Sequence, residues 1–129
     1  MTEAGRKRVL VVDDASLVRL YYRAALEGVG FYVEEALNGL EALEKLVTAP
    51  MDLLIVDVNM PQMDGFTFLR TLRRQDLPVA ATPALVVSTE SGTQDFEAAR
   101  AAGANFYLVK PVSQEDLAEY AMMICGITR

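Results

Sequence analysis

Apolar and polar positions alternate in blocks along this chain, and the blocks have two different periods. Five segments have the length and β-branched content of strands: Arg8–Val12, Tyr32–Ala36, Leu53–Val56, Ala84–Val87 and Asn105–Val109. Between and after them lie helical patterns near Ser16–Glu27, Leu40–Thr48, Phe66–Arg74, Gln94–Ala102 and Gln114–Cys125. Asn38 with Glu41, and Ser113 with Asp116, have capping-box spacing. Gly28 and Gly103 stand where helices would terminate. Leu117, Ala121 and Ile124 form an apolar stripe at helical spacing. The stretch Gln75–Pro83, which contains Pro78 and Pro83, reads as a longer loop before the fourth strand. Five βα units in series predict an α/β fold: an all-parallel sheet with right-handed crossovers and helices on both faces.

Four of the apolar runs lead straight into a polar group. VLVV is followed by Asp13-Asp14, LLIV by Asp57, ALVV by Ser88 and FYLV by Lys110-Pro111. Continuous apolar runs of this kind are typical of buried parallel strands. Each polar group therefore falls at a strand's carboxyl end, where open α/β sheets place their ligands. Three carboxylates, a hydroxyl and an ammonium converging there suit a divalent cation and a phosphoryl group.

Composition narrows this picture. A chain of 129 residues with 52% hydrophobic residues fits one globular domain with a single core. The opening MTEAGRKR is too short and polar for a signal peptide, and no apolar run approaches a membrane span. The lone Cys125 has no partner for an intramolecular disulfide, which suits a reducing cytoplasm. A net charge of −6 weighs against nucleic-acid binding, which needs a basic surface. The chain has no histidine, which excludes an internal phosphohistidine relay and any Ser-His or Cys-His nucleophile pair. The last helix is expected to end near Cys125-Gly126, and no output domain is expected after it.

Taken alone, each site residue has an ordinary structural reading. Asp13 and Asp14 suit a helix N-cap and first turn, Ser88 a turn or cap, and Lys110-Pro111 a strand-ending turn. Asp57 changes the balance. A carboxylate directly after LLIV would lie beside the first-strand pair if those strands are neighbours, and like charges that close raise one another's pKa unless a cation intervenes. Carboxylate, carbonyl and water are the ligands Mg²⁺ accepts. With Mg²⁺ and Lys110 neutralising phosphoryl oxygens and Ser88 donating a hydrogen bond, Asp57 is placed to act as a nucleophile.

With these residues the chain resembles the response-regulator receiver domains of two-component signalling, of the stand-alone CheY-like type, over about residues 8–126. The resemblance rests on Asp13-Asp14, on Asp57 within DVNMPQMDG, on Ser88 and on Lys110-Pro111. It implies a flavodoxin-like, doubly wound five-stranded sheet of order 2-1-3-4-5. It also implies that Asp57 accepts a phosphoryl group from a sensor histidine kinase or a histidine phosphotransfer protein. Mg²⁺ would be held by Asp14, Asp57 and the backbone carbonyl of Asn59, with Asp13 acting through water. Ser88 and Tyr107 would form a switch, and Asn59 and Glu90 would tune self-dephosphorylation. Tyr107 also reads simply as a partly buried core tyrosine. A downstream protein target would bind the face formed by helix 4, strand 5 and helix 5. The last helix lacks an arginine, so the paired-charge dimer of DNA-binding relatives is not expected, and the chain is expected to be monomeric. Met122 and Met123 read as core filler or as an adaptable partner surface.

Three other readings compete. A phosphotransfer intermediate or phosphate sink shares every motif and lacks only an effector target. A Mg²⁺-dependent phosphohydrolase of the haloacid dehalogenase type needs an acid two residues after the nucleophile, where this chain has Asn59, and it needs a cap domain. A flavodoxin-like FMN binder wants a Ser/Thr/Gly phosphate loop, and Asp13-Asp14 would repel the phosphate.

Overall fold

The strand residues divide strictly by parity between two cores. The structure, a computed structural model, describes residues 6–58, 60 and 63–127. Its elements run β1 (Arg8–Val12), α1 (Ser16–Glu27), β2 (Tyr32–Ala36), α2 (Gly39–Thr48), β3 (Leu53–Asp57), α3 (Gly65–Leu72), β4 (Ala84–Ser88), α4 (Thr93–Ala102), β5 (Phe106–Val109) and α5 (Gln114–Ile124). Val9, Val11, Leu53, Ile55, Leu85 and Val87 pack with Tyr22 and Leu26 of α1 and Leu117 and Ala121 of α5. Leu10, Val12, Leu54, Val56 and Val86 pack on the other side, with Leu46 of α2 and Phe68, Leu69 and Leu72 of α3. Both faces of β1, β3 and β4 are therefore apolar, and burial on two sides drives the sheet to the centre.

All pairings are parallel, in the order β2-β1-β3-β4-β5. This is the predicted α/β topology. β1 and β3 are neighbours, with Val12 opposite Val56 in register, so Asp13-Asp14, just past β1, and Asp57, the last residue of β3, share one end of the sheet. The order reverses beside β1, and the crevice at such a point is where doubly wound sheets bind ligands.

Several boundaries shift by a residue or two, with identifiable causes. β3 and β4 each run one residue further than expected: Asp57 pairs with Val87, and Ser88 with Val109. Both polar groups are thus the last residues of their strands rather than the first of their loops. α3 ends at Leu72 rather than Arg74. Arg73, its C-cap, sends its guanidinium across to the carbonyls of Ala80, Thr82 and Gly103 and to Asn105 Oδ1. That anchor and a 3-10 turn at Val79–Ala81 give order to the expected loop. Gly28 caps α1 in a right-handed conformation, and the left-handed turn falls on Gly30 at φ +98°. Gly103 does end α4 at φ +116°, where an added Cβ would also meet the Arg73 side chain.

The caps form much as expected. Glu41 N–H donates to Asn38 Oδ1 at 2.9 Å, and Asp116 N–H to Ser113 Oγ at 3.0 Å. The Glu41 carboxylate, however, accepts from Leu37 N–H, one residue before the position a capping box would use. On α5, Leu117 and Ala121 are fully buried and Ile124 partly so. The two methionines separate, with Met122 in the core and Met123 exposed. No helix among the described residues is long and apolar enough to cross a membrane.

Candidate functional site

Asp13 and Asp14 leave β1 where its buried run ends. Asp13 is buried, while Asp14 is exposed. Neither caps α1: the N-cap is Ala15, and it makes no side-chain cap bond. Asp13 Oδ1 instead accepts from Ala15 N–H at 2.9 Å, closing a short turn that bends the chain away from the sheet. Ser88 repeats the device at the end of β4, its Oγ accepting from Glu90 N–H at 3.1 Å. That leaves the Ser88 hydroxyl hydrogen available to donate.

Asp57 completes the cluster. Asp13, Asp14 and Asp57 each present a carboxylate oxygen within 4.8 Å of the others. Lys110, just past β5, brings Nζ to 3.5 Å from Asp57 Oδ1, and the Asp57 side chain is only 11% exposed. Four strand ends thus deliver the predicted acids, hydroxyl and ammonium to one end of the sheet.

The electrostatics show how much negative charge is gathered there. Burial raises the Asp13 carboxyl above its ordinary value against the Ala15 amide bond, and the Asp57 charge raises it further. Tyr22, beneath the site on α1, is pushed up to about 12 by burial and then by the charges of Asp13 and Asp57. A cation of small radius and oxygen preference suits these residues. All three donors are carboxylates, the hard ligands Mg²⁺ takes. Asp13 Oδ2, moreover, is buried without a hydrogen-bond partner among the described residues. Such an oxygen costs free energy unless something positive meets it. The cluster is compatible with Mg²⁺.

Tyr107 lies one strand further out. It pairs in register with Val86, so it shares a sheet face with Val86 and Ser88. The ring is half-buried against the α2–α3 core and meets Phe96 of α4 edge-on, at 4.6 Å between centroids. Its hydroxyl donates to the Glu90 carbonyl at 2.9 Å. Glu90 is therefore gripped twice, through its N–H by Ser88 and through its C=O by Tyr107, while its side chain is exposed. Asn59, expected both as a carbonyl ligand and as a tuning residue, lies outside the described residues.

Sequence reasoning missed Arg19. It sits on the inward stripe of α1 with Tyr22 and Leu26, and its guanidinium bonds the Asp13 carbonyl. A charge at core-facing helical spacing was the available signal.

Comparison with known proteins agrees with this geometry. The family model for the response regulator receiver domain matches residues 9–122, and the chain belongs to that family. It is 39% identical over 107 residues to a gliding motility regulatory protein of Myxococcus xanthus, covering 83% of this chain and 14% of that protein. It is 40% identical over 110 residues to the transcriptional regulatory protein PrrA of Mycobacterium leprae, covering 85% of this chain and 46% of the relative. The chain thus spans less than half the length of these curated relatives. Among solved structures, the chemotaxis protein CheY4 of Vibrio cholerae superposes with a TM-score of 0.86 at 36% identity, covering 93% of this chain and 99% of that one. The chain is a signalling module of the two-component type rather than a conventional enzyme, and response regulators receive their phosphoryl groups from histidine kinases.

Proposed function

We propose that Asp57 is the phosphoacceptor and that its modification switches the affinity of this chain for a downstream protein. The observation that carries this reading is the convergence of Asp13, Asp14 and Asp57 within 4.8 Å, with Lys110 Nζ 3.5 Å from Asp57 Oδ1. The donor is a phosphohistidine on a sensor kinase or a histidine phosphotransfer protein, since the chain itself has no histidine. In the transfer, Asp57 Oδ attacks phosphorus while the P–N bond breaks and its electron pair returns to the imidazole. Lys110 offsets the charge on the equatorial oxygens, and the Ser88 hydroxyl donates to one of them. Asp14 and Asp57 would hold Mg²⁺ directly, and the ion when bound would supply further positive charge against the phosphoryl oxygens. Asn59 would join through its carbonyl, and Asp13 would act through a water.

The double grip on Glu90 supports a route outward. If Ser88 turns toward the phosphoryl group, it pulls on the N–H of Glu90, whose carbonyl Tyr107 holds. Ring and loop then form a two-state element. Phe96 of α4, Phe106 and Val109 of β5 and Tyr120 of α5 are all exposed. Exposed aromatic and aliphatic groups on the elements bordering Tyr107 suit a protein partner. The chain acts as a cytoplasmic monomer on this reading, binding neither nucleic acid nor membrane. Hydrolysis of the acyl phosphate is intrinsic and tuned by Asn59 and Glu90.

Phosphorylation with a small phosphodonor and Mg²⁺, followed by mass spectrometry, tests the assignment. An acyl phosphate on Asp57 that hydroxylamine cleaves, and that is absent from Asp57→Asn, is expected. A main phosphoryl group on Ser88 or another hydroxyl would overturn it.

A further inference from the structure

An ionised arginine on the buried side of a helix is costly unless its donors are satisfied. Arg19 meets that condition in a way that bears on the acidic cluster. Its Nη1 donates to the Asp13 carbonyl at 2.7 Å, and its Nε donates to Glu35 Oε1 at 2.8 Å. Glu35 is itself fixed: Oε2 accepts from Arg23 Nη1 at 2.6 Å, and its carbonyl accepts from the Lys45 ammonium. One guanidinium thereby ties two neighbouring strand ends to α1, and Lys45 separately ties the second of them to α2.

The consequences converge on Asp13. Its N–H donates to the Ala36 carbonyl, its C=O accepts from Arg19, and its Oδ1 accepts from Ala15 N–H. Only Oδ2 is left, buried and without a hydrogen-bond partner among the described residues. Three carboxylates within 4.8 Å repel one another, and repulsion would swing the Asp13-Asp14 turn outward. Arg19 pins that turn from beneath, at the carbonyl, and leaves the carboxylates uncovered.

We propose that Arg19 is a positioning residue for the cation site, holding the Asp13-Asp14 turn in the geometry that a divalent cation needs. This rests on the function proposed above. A rival account makes the opposite prediction. If Arg19 acted through its charge, removing it would strengthen cation binding. If it acts through position, removing it weakens binding, because the turn must be re-ordered each time the cation enters. Groups that hold metal ligands from behind typically contribute about 10–100-fold in affinity.

The test is a calorimetric Mg²⁺ titration of the unphosphorylated full chain as wild type, Arg19→Met, Arg19→Lys and Glu35→Gln. Thermal midpoints in chelator check each fold. Arg19→Met is expected to weaken Mg²⁺ binding by about 10-fold or more. Arg19→Lys, which keeps the charge and loses the fork, should lie between it and wild type, and Glu35→Gln should show a smaller loss. Saturating Mg²⁺ should restore the maximal phosphorylation rate in all three, since no reacting group is altered. Equal or tighter Mg²⁺ binding by a folded Arg19→Met overturns the proposal. Should that variant fail to fold, unchanged affinity in both Arg19→Lys and Glu35→Gln overturns it. Failure of the wild type to bind Mg²⁺ would strike instead at the function proposed for the site.

Discussion

The two sides of the site are built differently. On the β1–β3 side, Leu10, Val12, Leu54 and Val56 are fully buried, Asp13 is bonded through every polar atom but one, and Arg19 closes the arrangement from below. On the β4–β5 side, β4 is as buried as β3, but β5 exposes Phe106 and Val109, and α4 buries only Ala99 and Ala102. Close packing makes the first side stiff, since dense interiors tolerate little displacement. The sparse packing of α4 and β5 leaves the second side cheaper to rearrange. A cation site needs fixed ligands and a switch needs two accessible arrangements. The packing thus suits the proposed cation site to the first side and the proposed switch to the second.

The strongest way to break this comparison is to remove the group on which both sides act. Asp57→Asn should abolish phosphorylation from phosphohistidine and small donors alike, read as loss of the mass increment on the intact chain. Retained incorporation at another residue would mean that the two sides serve a different centre.

Next in size is the difference in packing. Leu10→Ala, fully buried in β1, should cost about 2–5 kcal/mol, whereas Phe106→Ala on the exposed edge should stay within about 0.5 kcal/mol. Urea unfolding of both variants checks this. Comparable losses would show that β5 is as tightly held as β1.

The switch itself should be worth less. Ser88→Ala and Tyr107→Ala should still accept phosphate on Asp57 yet lose most of the affinity gain for a target, a coupling of about 1–3 kcal/mol in typical allosteric systems. Target binding with and without an acyl-phosphate mimic measures it. If both variants keep the wild-type ratio, the grip on Glu90 is not the route.

The smallest effect concerns the carboxylate cluster without metal. Because the Asp13 carboxyl is raised by burial and by Asp57, the folded chain takes up its proton before the unfolded chain does. Metal-free stability should therefore rise as pH falls through the raised folded value toward the ordinary 3.8. Asp13→Asn removes the penalty, so it should melt higher than wild type in chelator at neutral pH, with the advantage shrinking on acidification. A lower midpoint at neutral pH would mean that the acids are not strained by one another.

Much of the fold was legible because parallel strands buried on both faces need continuous apolar runs, and VLVV, LLIV and ALVV supply them, whereas the equally apolar FYLV forms an edge strand that leaves Phe106 and Val109 exposed. The same runs conceal which face each residue takes, since an apolar neighbour on either side looks alike in sequence. The parity that sends Val9 to α1 and α5 and Leu10 to α2 and α3 emerges only in the packed sheet. Arg73 is a similar case. Its spacing from Asn105 and Gly103 carries no local pattern, so its role in ordering the stretch before β4 was hidden.

The sequence by itself determined the order of elements, the strand-end position of Asp13, Asp14, Asp57, Ser88 and Lys110, and the absence of a histidine among its 129 residues. Those follow from local periodicity and from composition, which a chain carries whatever its neighbours. Only the tertiary structure decided that β1 lies beside β3, which brings three carboxylates within 4.8 Å, that Ser88 and Tyr107 hold Glu90 through its N–H and its C=O, and that Arg19 pins Asp13 from within the core. Those are contacts between residues far apart in the chain. The free energy of burying both faces of the sheet fixes them, and no short window of residues encodes that.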